Sequence, residues 1–377
     1  MGLATGTGRT LRETVRALLS KAPPSRRWKA RALAAVLGDP LLGGRLPLRR
    51  RIALVRRGFL PERAAGLYRL DTHDLSDYVS DRDRIEKTRD INLVPELLDD
   101  KLLFAHLMQA LAVPHPRVHA VVRGGEIRRV DGDASSLPDT IRRHGTVVVK
   151  PIQGTLGRDV HRVSPADSRF SLDGRAIDEA GLVAWIRSLR GHLVTEHMEQ
   201  AVYARRIYPH TTNTLRIVTM FDGEPFIAVA LHRFGVASSV PVDNFSRGGL
   251  CCRVDLATGT LGPGGRRAAP GRGLTWHETH PETGERLAGR AVPMWSEITD
   301  AVVDLAGRLP SLPYVGWDVI PTERGPVMLE GNNSTDVDLL QIHRPLLLDP
   351  RVRAFFARYG VGVRRRPVRG RRGMCPT

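Results

Sequence analysis

The sequence predicts an α+β protein with two or three lobes, on three observations. At 377 residues the chain is long for a single hydrophobic core, so each lobe would bury an apolar interior of its own. Strand-like runs rich in Val and Ile and helix-like segments with capping residues both occur along the chain. Near the C-terminus, residues 314–333 read as two strands joined by a turn. We therefore expect helices and strands to pack together in each lobe.

The positive charge lies at the two ends of the chain. The formal net charge is +17, of which residues 1–60 carry +12 and residues 361–377 carry +6, so the body between them is close to neutral at −1. A nucleic-acid enzyme would carry a basic stripe across its folded face, so nucleic acid is not the expected partner. The basic ends instead favour peripheral contact with an anionic membrane. The alternative for residues 8–36 is an amphipathic helix docked on its own enzyme.

Targeting signals and cysteines predict a cytoplasmic protein. No run of 18 or more uncharged apolar residues is present, and the N-terminus lacks the apolar region of a secretory signal. Cys251, Cys252 and Cys375 form neither a disulfide framework nor a zinc-binding spacing, so we expect reduced thiols. Binding of lipid by the basic ends would add a peripheral location at the inner membrane face.

Three segments are predicted from their breakers and charges. Residues 1–60 form a basic leader of short helices, interrupted at Pro23-Pro24, at Gly38–Pro40 and at Gly43-Gly44. Residues 257–273, rich in Gly, Pro and Arg, form a loop. Residues 361–377, with six arginines and no acid, form a disordered basic tail.

Two lysines are candidates for phosphate binding. Lysine occurs only five times against 52 arginines, so a lysine in this background is a candidate for a role that arginine does not fill. Lys101 begins a helix-like segment preceded by Asp99-Asp100, which we interpret as a cap and first-turn acid. Lys150 ends a strand-like run and leads into a glycine loop at residues 151–160, where backbone N–H groups can approach phosphate oxygens. The alternatives are a solvated Lys101 and an ordinary hairpin turn.

The hairpin at residues 314–333 carries the pattern of a metal site. Asp318 and Glu330 each lie in an apolar, strand-like run, where a lone carboxylate is costly to bury. A hard divalent cation would compensate the charge, and Asn332 adds a neutral oxygen on the same face as Glu330. The alternative is that both carboxylates form salt bridges with some of the many arginines.

The order of these motifs resembles the ATP-grasp superfamily across residues ~95–345. In that order come Lys101, Lys150 with its loop, an acidic strand end at Glu196, Arg216 and the hairpin with Asp318. Several stretches resemble, more closely, the sugar-transfer-associated ATP-grasp family, a relative of α-L-glutamate ligase-type enzymes. These stretches are residues 71–92, 213–219, 243–249, 280–284 and 315–318.

The resemblance implies an α+β ATP-grasp fold, in which two α+β lobes hold ATP between them, with a helical N-terminal extension. The implied division is a leader at 1–60, an N-terminal portion of the body at 61–115, a small lid lobe at 116–195, a large lobe with the metal site at 196–360, and a basic tail at 361–377.

The resemblance also implies a role for each candidate residue. The groups that would contact the ATP phosphates are Lys101, Lys150, Gly154, Thr155 and Gly157, while Glu196, Met198 and Glu199 would bind adenine and ribose. Asp318, Glu330 and Asn332 would hold Mg²⁺, or Mn²⁺ in its place. Arg216 and Lys150 would be catalytic, and the substrate would be contacted by Arg216, Asn244, Gly248, Gly249 and His280.

Simpler roles remain open for several of these residues. Glu196 would otherwise be a solvent-exposed glutamate at a strand end, and Arg216 a paired arginine on the surface. The turn at residues 244–249 would otherwise be a β-turn without a ligand. A lone histidine such as His280 more often has a structural role than a catalytic one.

The activity that the resemblance implies is an ATP- and Mg-dependent ligase joining a carboxylate to an amine through an acyl phosphate. The substrates would belong to sugar, cell-surface polymer or peptide-like metabolite biosynthesis. Two alternatives stay open: an ATP-grasp kinase that phosphorylates a sugar or polyol hydroxyl, and a noncatalytic scaffold that binds a membrane or polyanion.

Overall fold

The computed structural model describes residues 24–37, 46–130, 132, 136–154, 157–167, 169–268 and 273–363. It confirms the α+β class, because helices and two antiparallel sheets are combined in one chain. The first 23 residues of the predicted leader and all but three residues of the predicted tail lie outside the described ranges. Within those ranges no helix is long and apolar enough to cross a bilayer.

The α-helices of the described residues divide into an N-terminal group, two lid helices and a C-terminal group. They are α1 (Pro24–Leu37), α2 (Leu48–Arg56), α3 (Pro61–Leu67), α4 (Asp81–Glu86), α5 (Glu96–Asp99), α6 (Lys101–Ala110), α7 (Leu137–His144), α8 (Glu179–Ser188), α9 (Val202–Ile207), α10 (Trp295–Gly307), α11 (Val337–Leu340) and α12 (Pro350–Arg358).

The strands form two sheets of seven. Those of the first sheet are β1 (Val118–Arg123), β2 (Glu126–Arg129), β3 (Val147–Pro151), β4 (His161–Ala166), β5 (Arg169–Leu172), β6 (Arg175–Ile177) and β7 (His192–Glu196). Those of the second are β8 (Leu215–Phe221), β9 (Pro225–Phe234), β10 (Leu250–Val254), β11 (Leu261–Arg267), β12 (Leu274–His277), β13 (Tyr314–Thr322) and β14 (Gly325–Asn332).

The first sheet has two different faces, and we call it the lid sheet. Its strand order is β2-β1-β7-β3-β4-β5-β6. Alternate residues such as Val122, Val147 and Val194 pack against α7 and α8 and form a separate hydrophobic core. The opposite residues, including Lys150, lie on the other face because side chains alternate along a strand. The lid sheet thus has one face covered by α7 and α8 and an opposite face on which Lys150 lies.

The second, larger sheet is covered on both faces, in the order β12-β11-β10-β9-β8-β13-β14. One face packs against α6 and α10 through residues such as Ile217, Phe104 and Val302. The other packs against N-terminal residues from 54 to 91 and C-terminal residues from 337 to 361. Since β14 is an edge strand, groups at its end of the sheet can meet the lid.

The prediction of a loop at residues 257–273 is wrong for part of this range. Residues 261–267 form β11, which pairs with both β10 and β12. Glycine is disfavoured in strands, but here neighbouring side chains occupy the space of the missing Cβ atoms. A Cβ on Gly264 would lie 2.9 Å from a Leu250 methyl group, and one on Gly265 would lie 3.2 Å from the Trp276 ring.

Candidate active site

Lys101 reaches the edge of the large sheet because of how α6 begins and packs. Asp100 caps the helix by accepting hydrogen bonds from the backbone N–H groups of Leu102 and Leu103, at 2.9 and 3.1 Å. Phe104, one turn later, packs over Gly331 of β14, where a Cβ would lie 3.1 Å from its ring. Lys101 therefore lies beside Glu330.

The Lys101 ammonium group joins the lid loop to the large sheet. Its Nζ donates to the Gly154 carbonyl oxygen at 2.9 Å and lies 3.7 Å from Glu330 Oε2. Its backbone N–H also donates to the Ile152 carbonyl at 3.0 Å. The solvated alternative for Lys101 does not describe the structure, since only 15 % of the side chain is exposed.

Lys150 lies in the same region, on β3 of the lid. The residue is 8 % exposed and pairs in register with Leu193 of β7. Burial and the neighbouring Lys101 lower the pKa of its ammonium group to about 8, although Glu330 and Asp318 act in the opposite direction. A cationic side chain that is easier to deprotonate than usual therefore faces the acidic edge of the large sheet.

The lid and the large lobe are closed against each other around these lysines. Val118, Leu193 and Thr195 of the lid sheet line a cavity of about 10 Å³ together with Met328 and Leu329 of β14. Such a volume holds about one water molecule. The lysines are therefore next to a cleft that must widen before it can admit a nucleotide.

Asp318 lies on the large sheet opposite Glu330 and Arg216, its partners on the two flanking strands. Arg216 donates to both carboxylate oxygens of Asp318, at 2.5 and 3.1 Å, and Arg233 Nη2 lies 3.0 Å from Oδ2. Burial would raise the pKa of Asp318, but these two guanidinium groups outweigh it and lower the pKa to about 2. The salt-bridged alternative thus describes Asp318 in this structure.

Arg216 is buried rather than exposed, because β8 lies between β9 and β13. Only 7 % of the residue is accessible, and its Nη1 donates to the Thr335 hydroxyl at 2.6 Å. The alternative of a surface arginine is therefore wrong. Thr335 fits closely over β13 because a Cβ on Gly316 would lie 2.7 Å from its hydroxyl oxygen.

Arg233 and Asp243 also belong to this cluster. Neither was among the site residues predicted from the sequence. Asp243 Oδ2 accepts hydrogen bonds from the backbone N–H and hydroxyl of Thr214, at 2.8 and 2.6 Å, and lies 3.5 Å from Arg233 Nε. Burial raises the pKa of Asp243, with Arg233 opposing the rise. The sequence does contain a signal for Arg233. It ends the strand-like run 226–233 and lies two residues after the buried Leu231, so both side chains are on the same face of the strand.

Glu330 and Asn332 offer the oxygens best suited to a cation. Glu330 is 27 % exposed, and its ion pair within the described residues is the one with Lys101. Asn332 donates from its amide nitrogen to the Gly316 carbonyl at 3.0 Å, and this hydrogen bond does not involve its amide oxygen. Within the described ranges there is no group of three or more His, Cys, Asp or Glu that could hold a metal. This donor set fits Mg²⁺ only if phosphate oxygens complete the coordination.

The residues predicted to bind adenine and ribose lie where β7 leaves the lid. Glu196 is exposed, and its Oε2 accepts a hydrogen bond from the Arg117 backbone N–H at 3.3 Å. Glu199 is also exposed and lies 3.7 Å from Arg205 Nη1. Met198 is half-buried between them. Their contacts with a nucleotide stay predictions.

The lid loop contains two predicted phosphate contacts within the described residues. The carbonyl oxygen of Gly154 accepts a hydrogen bond from Lys101 Nζ. Gly157 has a φ of +60°, and a Cβ there would lie 2.8 Å from a Val242 methyl group in the large lobe. Glycine is thus required where the loop meets the large lobe. Thr155, the third residue predicted here, lies outside the described residues.

The predicted substrate residues at 244–249 and 280 are held within their own turns. Asn244 Oδ1 accepts from the backbone N–H and hydroxyl of Ser246, both at 2.9 Å. Gly248 adopts a φ of +98°, and a Cβ on Gly249 would lie 2.8 Å from the Asp243 carbonyl oxygen. No contact of the described residues joins these groups to Asp318, and their role in substrate binding stays a prediction.

His280 is a buried histidine whose ring is fixed on both sides. Its Nε2 is 2.8 Å from the Gly235 carbonyl oxygen, and its Nδ1 accepts from the backbone N–H groups of Glu282 and Thr283 at 3.3 Å. The ring stacks on Tyr208 with centroids 5.1 Å apart. These contacts give His280 a role in the fold, while the predicted substrate contact stays a prediction.

The comparison with known families assigns the chain. Residues 82–355 match the family described as sugar-transfer associated ATP-grasp, and this range is well over half of the chain. The protein therefore belongs to that family, as the sequence motifs predicted. No curated protein matches the chain.

Several solved structures are similar at low identity. D-alanyl-alanine synthetase A from Vibrio cholerae is 9 % identical over 74 % of this chain and 68 % of its own, with a TM-score of 0.40. The ATP-grasp ligase PsnB, complexed with a phosphomimetic variant of its minimal precursor, Mg and ADP, is 14 % identical over 69 % and 58 %, with a TM-score of 0.35. An L-amino acid ligase from Bacillus licheniformis is 12 % identical over 63 % and 41 %, with a TM-score of 0.33. The chain thus spans less than two thirds of the last two proteins, and these scores add nothing to the family assignment.

Proposed function

We propose that this protein is an ATP- and Mg-dependent ligase that joins a carboxylate to an amine through an acyl phosphate. One observation carries the proposal: Lys101 of α6, which packs on the large sheet, and Lys150 from the lid converge on Glu330, beside a carboxylate held by two arginines. Membership of an ATP-grasp family supports ATP as the phosphoryl donor.

The lysines and the lid loop would hold the phosphates. Phosphoryl transfer depends mainly on positioning and on neutralising the charge of the transferred group. Lys101 and Lys150 would supply two ammonium groups from opposite sides of the cleft, and the glycines of the lid loop, Gly154 and Gly157, would let backbone N–H groups approach the same phosphates. In this closed structure Lys101 instead pairs with the Gly154 carbonyl and Glu330.

Arg216 and Arg233 would position the substrate carboxylate. Their planar guanidinium groups suit a two-point contact with a carboxylate or phosphate. Both face the same side of the sheet, where Asp318 now holds them in place. A carboxylate oxygen of the substrate would attack the γ-phosphorus, ADP would leave, and the acyl phosphate would form between the arginines and the lysines.

The second step would form the amide. The amine nitrogen attacks the acyl carbon, the carbon–oxygen bond to phosphate breaks, and the nitrogen loses a proton. The arginines would stabilise the oxyanion that develops on the acyl oxygen. Products are the amide, ADP and inorganic phosphate.

Glu330 and Asn332 would hold the metal together with the nucleotide phosphates, with Asp318 as a third ligand once one guanidinium moves from a carboxylate oxygen. The bound ion would supply charge neutralisation to the phosphate oxygens. The chain's own charges already favour a nucleotide: four cationic side chains, Lys101, Lys150, Arg216 and Arg233, lie around the carboxylates of Asp243, Asp318 and Glu330.

Closure of the lid would protect the acyl phosphate from water. The small cavity of about 10 Å³ between β14 and the lid sheet is consistent with such closure. A Cβ on Gly157 would lie 2.8 Å from a Val242 methyl group, so there is little space between the lid loop and the large lobe at this point. The lid would open for the nucleotide and close over the reacting groups, which excludes water as the acyl phosphate forms.

The substrate class that fits best is a carboxylate or amine from sugar, cell-surface polymer or peptide-like metabolite biosynthesis. The description of the family associates it with sugar transfer. A kinase for a sugar or polyol hydroxyl would use the same phosphate-binding groups. The paired arginines favour the ligase, because a neutral hydroxyl acceptor gains little from two guanidinium groups.

An ADP-release screen tests the proposal. Purified protein, MgATP and pairs of amino acids, amino sugars and sugar acids would be assayed for ADP, followed by mass analysis of active pairs. We expect ADP and free phosphate in equal amounts with an amide product that has lost one water. A product that retains the phosphate would show a kinase instead.

A further inference from the structure

The two N-terminal helices form a surface of one charge sign. Helix α1 and helix α2 pack against each other, and their described residues include no Asp or Glu. Six of their basic side chains are exposed and form no ion pair with a described residue. These are Arg26, Lys29, Arg31, Arg49, Arg50 and Arg56. The rest of the body is close to neutral, so this surface is the distinctive charged feature of the described fold.

Helix α1 is docked by one face and exposed on the other. Trp28, Ala32 and Ala35 are buried in a small core that includes Leu60. The stripe on the other side carries Arg26, Lys29 and Leu33, which recur at helical spacing. Leu33 is 60 % exposed. The docking alternative for this helix and a surface role are thus compatible, since they use different faces.

Helix α2 repeats the arrangement. Leu54 is buried against the body, whereas Arg49, Arg50 and Arg56 are exposed. Leu48 begins the helix and is 52 % exposed. Each helix therefore exposes one leucine beside its basic residues. Exposure to water is costly for a large apolar side chain.

We propose that the exposed faces of α1 and α2 bind the surface of an anionic lipid bilayer. Arginines near such a surface gain attraction to lipid headgroups, and a leucine beside them gains from entering the acyl boundary. A nucleic acid or acidic polymer would attract the same arginines but would leave Leu33 and Leu48 in water. The leucines therefore favour lipid as the occupant.

The surface is connected to the candidate active site through α4. Helix α1 packs on α4, and Arg84 of α4 forms an ion pair with Asp336, four residues beyond Asn332. A molecule bound to the bilayer through α1 and α2 would therefore hold its large lobe in a fixed orientation at the membrane. This inference does not depend on the chemistry proposed above, and its test measures binding alone.

Vesicle sedimentation with the full chain tests the proposal. Vesicles of phosphatidylcholine alone would be compared with vesicles containing phosphatidylglycerol, at low and high salt. We expect binding only to the anionic vesicles. The triple variant R49Q/R50Q/R56Q should bind about 100-fold more weakly, because each basic residue contributes about 1 kcal/mol near such a surface and 1.4 kcal/mol is a factor of ten.

Two further variants test whether binding depends on this surface or only on the number of exposed basic residues. The control R169Q/R175Q/R187Q removes three exposed arginines of the lid, and we expect it to bind within about threefold of wild type. Leu33→Ala with Leu48→Ala should weaken binding by about tenfold, and this loss should persist at high salt. Circular dichroism checks that each variant is folded.

Any of three results with vesicles would overturn the proposal: equal binding to neutral and anionic vesicles, equal losses in the α2 and lid triple variants, or an unchanged affinity in the double leucine variant. Tighter binding to a duplex DNA or a poly-glutamate probe than to anionic vesicles at the same salt would also overturn it, in favour of a polyanion partner.

Discussion

Two buried ion clusters lie on the large lobe, and only one of them borders the cleft. The Asp318 cluster consists of Arg216, Arg233, Asp243 and Asp318. The Asp338 cluster consists of Arg63, Asp81, Arg267 and Asp338. Each contains two arginines and two carboxylates. Both arginines of the Asp318 cluster lie on the sheet, Arg216 on β8 and Arg233 on β9, whereas the Asp338 cluster takes Arg267 from β11 and Arg63 from α3.

The clusters differ in their neighbours. In the Asp338 cluster, Arg63 bridges Asp81 at 3.0 Å and Asp338 at 3.3 Å, and Asp81 also accepts from the Leu60 backbone N–H at 2.8 Å. These contacts fasten α3 and α4 to the large lobe. The Asp318 cluster instead adjoins Glu330, which is partly exposed, and two lysines. We therefore propose the Asp318 cluster as part of the site because of the partly exposed carboxylate and the lysines beside it, and not because its charges are buried.

The largest effect should come from breaking the Asp338 cluster. Arg63→Met leaves Asp81 and Asp338 without their shared partner, and removal of one partner from a buried pair typically costs about 3–5 kcal/mol. Burial would raise the pKa of Asp338, but Arg63 and then Arg267 lower it, so the carboxylate depends on both. Urea denaturation would measure the loss.

The matched control for that variant is Arg128→Met, which removes an ion pair of similar length from the surface. Arg128 and Glu126 are 68 % and 67 % exposed, so the cost should be under about 1 kcal/mol. Equal losses from Arg63→Met and Arg128→Met, or a folded Arg63→Met protein with abolished ATP turnover, would contradict the division between the clusters.

Next in size is the loss of activity in Glu330→Ala. Removing one electrostatic contact in a phosphoryl-transfer site typically lowers turnover by ~10²–10³. The fold should persist, because Glu330 is partly exposed and its ion pair in the described part of the chain is the 3.7 Å contact with Lys101. ADP release and urea denaturation would be measured together, with the exposed Glu224→Ala as control. Wild-type turnover in Glu330→Ala would refute its assignment to the metal site.

The pH dependence of nucleotide binding should report Lys150. With a pKa of about 8 in the free protein, the side chain is largely charged below pH 8 and neutral above it. Phosphates favour the charged form, so binding takes up a proton, and affinity should fall by up to about tenfold per pH unit above pH 8. Titration calorimetry from pH 7 to 10 would show this.

Lys150→Arg provides the control, since arginine stays charged throughout that range. Its affinity should be lower than that of wild type because the guanidinium is bulkier, yet nearly independent of pH. A wild-type affinity that is flat to pH 10, or a variant with the same pH dependence as wild type, would assign the effect to another group.

The smallest predicted effect concerns the metal without nucleotide. Arg216 and Arg233 occupy both oxygens of Asp318, and Lys101 and Lys150 lie near Glu330, so a free cation meets positive charge. We expect Mn²⁺ to bind at least about tenfold more tightly with an ATP analogue than alone. Electron paramagnetic resonance would count bound Mn²⁺, and equal affinities would contradict the account.

The sequence predicted those parts of the site that depend only on interactions between residues close together in the chain. The helix at Lys101 was predicted from the acids Asp99-Asp100 before it, and the strands bearing Asp318 and Glu330 were predicted from apolar runs on either side of a turn. These features need only nearby residues, and the structure contains them.

Contacts between distant residues were not predictable in the same way. Arg216 and Asp318 are 102 positions apart, and their pairing is set by the register of β8 and β13. Arg233 and Asp243 join them only because β9 lies beside β8. The strand β11 was missed because its glycines suit a loop, while the large side chains that fill their space belong to other strands.

The central claim is that the cleft beside the Asp318 cluster holds a nucleotide and its metal. Crystals grown with Mn²⁺ and a nonhydrolysable ATP analogue would locate the metal by anomalous scattering. The account predicts a peak in contact with Glu330 and Asn332, and none beside Asp338. A nucleotide bound with no metal at Glu330, or a peak at Asp338, would contradict it.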